Sequence, residues 1–339
     1  MKTSKTSKLI NLSPEAHPSK LRAQWIECLD SQDPNSIAHQ LADLLYTAAV
    51  YDTINQWRTM ARRAGDQLLV NPMLHRYIDR TFWISQIAGV RKLVDSFALR
   101  HQAGRDTSVF CLTALIKDMK IYYPSYFSRA AMFAAENLEY DIELLQSKED
   151  AHTRRMIGDG QFSFAVPREC DPDPSCHRHL AIDRLTHKNA STRTPDDMVP
   201  EGVFDGLLLK ITAPTESFVK LANKHTLHAA SASSRESDEE YQQGMVLTLA
   251  ELREAHEAIC KTFRFVANDL LNQGEYDLLV ERRIEDFRLF SLGHDIEGCE
   301  QFLIERWIAT AAQIKGYTSW TIDELIPAQS PNTESANVS

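Results

Sequence analysis

Two histidines and a lysine stand close together in the segment Asn223-Lys224-His225-Thr226-Leu227-His228-Ala229. On a helix, His225 and His228 share the face that carries Phe218 and Leu221, and Lys224 lies within a turn of His228. An imidazole beside a cation and an amide can cleave a phosphodiester without metal, the ring moving the proton and the cation stabilising charge on phosphorus. In that reading His228 is the general acid/base, Lys224 the phosphate-stabilising cation and Asn223 the orienting amide, with no cofactor and no metal. A helix with a polar edge accounts for the same residues without chemistry.

Cys170, Cys176, His177 and His179 are all competent zinc ligands. The cysteines are separated by five residues, and Pro172 and Pro174 stiffen the gap, so the spacing favours a solvent-facing loop over a metal site. His256 falls on the apolar stripe formed with Leu252, Ile259 and Phe263, which predicts a buried imidazole satisfied by a neighbour. Arg288 and His294 are spaced for an arginine–histidine pair, but Gly293 between them argues against one continuous helix. The chain has 12 glycines, none in a dinucleotide-binding or phosphate-loop pattern, and it lacks the spacings of a zinc-protease helix, a calcium loop or a serine nucleophile elbow.

The elements that would position these residues are helical by periodicity. Ile37, Leu41, Leu44, Ala48 and Tyr51 form one stripe after Asp33-Pro34. Trp83, Ile87, Val90, Val94 and Phe97 form a second, in a segment opened by Asn71 as cap and Pro72 as first helical residue. Ser108 to Met119 reads as a shorter helix, and Phe127, Ala131, Ala134, Leu138, Ile142 and Leu145 predict a long one begun near Ser125. From 148 to 200, glycines and prolines punctuate a polar stretch, read as an irregular connection with at most a short extended segment at Phe162, Phe164 and Val166. Val203, Phe204, Leu207, Leu208 and Ile211 restart the helical pattern, followed by a separate segment after Pro214. Thr248 and Glu251 form a capping box for a helix running to Leu270, and another helix is expected from Glu297 to Ile314.

The expected organisation is an all-α helical bundle with one long irregular insertion. It comprises a tail and short helix over 1–33, a first helical half over 34–147, the Pro-rich connection over 148–200, a second half over 201–326 and a disordered tail over 327–339.

Over 339 residues, 37 Lys and Arg against 47 Asp and Glu give a net charge of −10, so any contact with nucleic acid needs a local basic patch. The six cysteines are irregularly scattered, which fits a reducing, cytoplasmic location rather than a disulfide scaffold. The basic start at Lys2, Lys5 and Lys8 is followed only by Leu9-Ile10 before polar residues, so no export signal is expected, and no stretch suggests a membrane partner.

Several segments resemble the HEPN superfamily of helical domains found in abortive-infection and toxin systems of prokaryotes. They are Phe82-Trp83 through Arg91, Leu93 and Asp95, the short helix to Met119, Asp183-Arg184-Leu185, and Ala222 to Ala229 ahead of the helix capped by Thr248. Active members resemble metal-independent endoribonucleases whose arginine and following histidine form a site across a homodimer. Carried over by position, His228 matches the histidine, while Asn223 stands where the arginine is expected and Lys224 is the nearest cation. Asparagine carries no charge and lysine lacks the guanidinium fork. The resemblance therefore implies a defence or stress-response protein acting on RNA, or a non-catalytic helical module that binds a protein partner or a nucleotide.

Overall fold

The structure is a computed structural model that describes residues 17–63, 72–95, 110–138, 140, 143, 147, 174–189, 191–223, 247–279 and 299–326. Within these residues the chain is all-α. The helices are α1 (Pro18–Leu29), α2 (Ile37–Arg63), α3 (Pro72–Val94), α4 (Leu112–Ile121), α5 (Tyr123–Tyr126), α6 (Arg129–Glu136), α7 (Pro174–Thr186), α8 (Gly202–Leu221), α9 (Leu249–Arg264), α10 (Cys299–Lys315) and α11 (Ile322–Leu325). The only β pairing among the described residues is an isolated antiparallel bridge between Ser128 and Met198.

Helix α8 is the hub, packing against α3, α4, α9 and α11, while α2 lies between α3 and α10, and α1 closes over α6 and α4. Its buried face, Val203, Phe204, Leu207, Ile211 and Phe218, is the apolar stripe of the sequence. Phe204 meets Phe127 at 4.9 Å, and Trp25 stacks on Phe127 while donating its indole N–H to Asp118 Oδ2 at 2.8 Å. At Gly206 a Cβ would fall on the carbonyl of Leu325, so the α8–α11 approach requires glycine there.

Most of the expected helices are present. Pro72 does begin α3, and the capping box of α9 forms, with Thr248 Oγ1 accepting from Glu251 N at 3.2 Å and Glu251 Oε2 accepting from Thr248 N at 2.7 Å. Asn71, Phe97, Ser108, Ile142, Leu145, Phe162, Phe164, Val166, Glu297 and the tail after Pro327 lie outside the described residues.

Three expectations change. The single long helix from Ser125 is instead the short turn α5 followed by α6. Ser128 is extended and caps α6, because the backbone at Phe127 and Arg129 bonds to Val199 N and Asp197 O rather than continuing a helix. Asn137, left-handed at φ 55°, then ends α6. The buried side chains there are Arg129, Met132, Phe133 and Ala135, and Ala134 is exposed.

Second, the 148–200 connection contains the helix α7. Pro174 sits at its start, where a missing N–H costs nothing, and its low hydrophobicity reflects buried charge rather than exposure. Third, Pro214 does not divide two helices but lies inside α8, on a half-buried side. Hydroxyls of Thr212 and Thr215 bond back to the carbonyls of Leu208 and Ile211, both at 2.7 Å, within the surrounding turns.

Gly206→Ala should destabilise the fold by about 1–3 kcal/mol, because helix backbone rather than a flexible side chain must move. Urea unfolding of the variant checks this, with Gly202→Ala, whose added Cβ meets only ordinary contacts with Ile326, expected to cost far less.

Candidate functional site

The sequence-predicted site is only partly described. Asn223 continues past the end of α8 in a wider π turn and is half-buried, while Lys224, His225 and His228 lie outside the described residues, as do Arg288, His294 and Cys170. Cys176 and His179 are buried on α7 and His177 is exposed on another face, so the solvent-facing loop expected here is a packed helix. No cluster of three or more potential metal ligands occurs among the described residues. Cys28, Cys111, Cys176 and Cys260 are buried and form no disulfide.

Helix α7 is held by two fully buried arginines. Arg129 donates to Asp183 Oδ1 at 2.8 Å, Asp197 Oδ2 at 3.1 Å and His179 Nδ1 at 2.9 Å. Arg193 completes the cluster with Nε and Nη2 on Asp183, the shorter bond 2.7 Å. Two guanidinium groups thus face two carboxylates, and burial is tolerated because each charge is paired and hydrogen-bonded. Arginine can only donate, so His179 Nδ1 accepts and its ring proton belongs to Nε2, which is buried without a partner. Burial and the charges of Arg129 and Arg193 hold the His179 ring at about 4, while burial acting on Asp197 is overcome by hydrogen bonds from Thr194 and by Arg129, which keep that carboxyl below its usual range.

Arg178 couples α7 to the end of α9. After Arg264 the helix widens into a π turn over Phe265–Leu270, a rare geometry that recurs at functional sites. Arg178 caps this turn, donating Nη1 to Asp269 O at 2.8 Å and Nη2 to Leu270 O at 2.9 Å, with Glu136 Oε1 2.8 Å from Nη2. A side chain from another helix therefore satisfies carbonyls that a terminal glycine would otherwise serve.

The π turn directs Asn268 and Asp269 into a cleft of about 560 Å³ between α7, the 272–277 loop and the end of α10. Asp269 accepts from Ser319 Oγ at 2.5 Å. Burial pushes its carboxyl up, against the opposing effects of Ser319, Arg184 and Arg178. Asn268 Oδ1 is buried and has no hydrogen-bond partner. The lining also carries Arg184 and His177 from α7, Lys315 from α10, and Glu275 and Asp277 from the 272–277 loop, all exposed. Arg264 holds the α10 terminus in place, donating to Lys315 O at 2.8 Å and Tyr317 O at 2.6 Å.

The cleft thus presents carboxyl and amide acceptors together with cations. Ser319, its hydroxyl donated to the Asp269 carboxylate, and His177 line the same cleft. His256, expected to be structural, is indeed buried, with Nε2 2.9 Å from Gln86 Oε1, and Gln86 Nε2 donates to Leu44 O. Burial pushes its ring down to about 4.

Sequence reasoning missed Asn268, Asp269 and Ser319 because they are far apart along the chain from α7 and fit no local pattern. No local signal marked them: Val266 and Leu270, four apart, keep the apolar stripe intact and leave Asn268 and Asp269 as an ordinary polar pair. No known protein family matches the chain, and no characterised protein or solved structure similar to it is found. No helix among the described residues is long and apolar enough to cross a membrane.

Two outcomes follow from this geometry. Arg178→Met leaves Glu136 and two helix-end carbonyls without their donor and should cost about 3–5 kcal/mol in denaturant unfolding. His179 and His256 are neutral in the fold, with ring values below those of the unfolded chain. Stability should therefore be full above about pH 6.5 and fall as the pH drops toward about 4, measured as Tm against pH.

Proposed function

We propose that the chain is a non-catalytic helical module that binds a nucleotide in the cleft at the π turn. The observation that carries this reading is the pairing, in one cleft, of the unsatisfied Asn268 Oδ1 and the Asp269 carboxyl with the cations Arg184 and Lys315. Base N–H groups match the acceptors, and a phosphate matches the cations. Arg184 is exposed and its charge already acts on the Asp269 carboxyl within the cleft, which puts it where a ligand anion would meet it. The cleft lining balances Arg184, Arg264 and Lys315 against Asp269, Glu275 and Asp277, so a ligand that carries both hydrogen-bond donors and an anionic group suits it better than a polyanion.

A second reading is the endoribonuclease of a defence system, acting across a homodimer on RNA or held by a protein partner. What supports it is the sequence of Asn223, Lys224 and His228 at the end of α8, together with the resemblance to HEPN domains.

Calorimetry with GMP and AMP on the full chain separates the two. Binding of either, weakened about tenfold by Arg184→Gln with Tm unchanged, supports the cleft; no binding, or binding indifferent to Arg184→Gln, removes it. RNA degradation abolished by His228→Ala, with growth arrest on expression relieved by the same change, would instead favour the nuclease.

A further inference from the structure

A second cavity, of about 130 Å³, lies between α2, α9 and α10 and shares no lining residue with the cleft at Asp269. It is too small for a nucleotide but has room for a tetrahedral oxyanion. Its one carboxylate, Asp52, is faced by two guanidinium groups, Arg306 at 3.5 Å and Arg253 at 3.9 Å, so the charged groups of the wall sum to an excess of positive charge. Neither arginine is shown hydrogen-bonded to Asp52, and Arg306 Nε is buried without a partner. Tyr317 accepts from Gln313 Nε2 at 3.2 Å, which leaves its own hydroxyl proton to donate.

Two further polar groups in the wall have the opposite character: Thr310, whose hydroxyl proton is donated to Arg306 O, and His256. Gln86 donates its amide N–H to Leu44 O, so its oxygen faces His256 and must accept from Nε2–H. The ring proton is thereby assigned to Nε2, and Nδ1 is a bare lone pair. A ligand here meets cationic donors together with neutral acceptors, Thr310 Oγ1 and His256 Nδ1 among them, so a protonated oxygen is favoured over a bare one. Sulfate carries no proton and would set an anionic oxygen against that lone pair. A phosphate at neutral pH keeps at least one O–H, which Nδ1 can accept.

We propose that this cavity is a binding site for a protonated oxyanion, hydrogen phosphate, with Arg253 and Arg306 neutralising its charge and His256 Nδ1 accepting its hydroxyl. The Gln86 amide acts as the positioning group that fixes the tautomer.

Titration calorimetry of the full chain in chloride buffer tests it, with inorganic phosphate and sulfate as probes. Phosphate should bind, sulfate should bind at least about tenfold more weakly, and Arg306→Gln should lower phosphate affinity by at least about tenfold. If Arg306→Gln does not fold, Arg253→Gln serves, because that side chain is 61% exposed. Arg184→Gln, in the other cleft, should leave phosphate affinity unchanged. Equal affinity for sulfate, no heat at millimolar phosphate, or loss of binding in Arg184→Gln instead would overturn the assignment. Failure here leaves the nucleotide reading standing, since the two cavities are probed by different arginines.

Discussion

The Arg178 guanidinium, with no exposed surface, is the contact on which the site depends. It has given up its hydration, and burial pulls its proton affinity down, an effect that the Glu136 carboxylate opposes. Its Nη1 and Nη2 are used on the two carbonyls at the end of the π turn, while Nε is buried without a partner, so the group rests on those two bonds and on Glu136. Asn272, left-handed at φ 53°, ends the turn in the place a glycine often takes, and Arg178 fixes α7 against it through one side chain. Arg129 does the same on the other side of α7, tying it to α6 and to the loop that carries Arg193 and Asp197. One helix is thus positioned by two buried cations rather than by a wide apolar face.

That mode of anchoring explains what the sequence revealed and what it concealed. Helices α2, α3, α8 and α9 bury apolar stripes, so their periodicity is readable, and the cap of α9 is spelled out by Thr248 and Glu251. Helix α7 buries Arg178, His179 and Asp183 instead, residues that a periodicity argument assigns to solvent. Pro174 and its neighbours reinforced the misreading, although a proline at a helix start is favourable. The break between α5 and α6 was illegible for a different reason: it depends on backbone bonds to Asp197 and Val199, some seventy residues away.

The cleft was hidden by the same non-local construction. Its acceptors come from the π turn, its cations from α7 and α10, and no two of these segments are adjacent in the chain. Asp183, Arg184 and Leu185, consecutive in sequence, illustrate the division of labour. Asp183 joins the buried ion cluster, Arg184 faces the cleft and Leu185 packs in the core. His256, by contrast, was legible because it interrupts an otherwise apolar stripe, and a buried imidazole needs a partner, here Gln86.

Hydrogen exchange of the full chain with and without a guanosine or adenosine monophosphate bears most directly on whether α7 and the π turn form one ligand-binding unit. The account predicts added protection together in Pro174–Thr186 and Phe265–Leu270, with α3 unchanged. Protection confined to other helices, or none at saturating nucleotide, would contradict it.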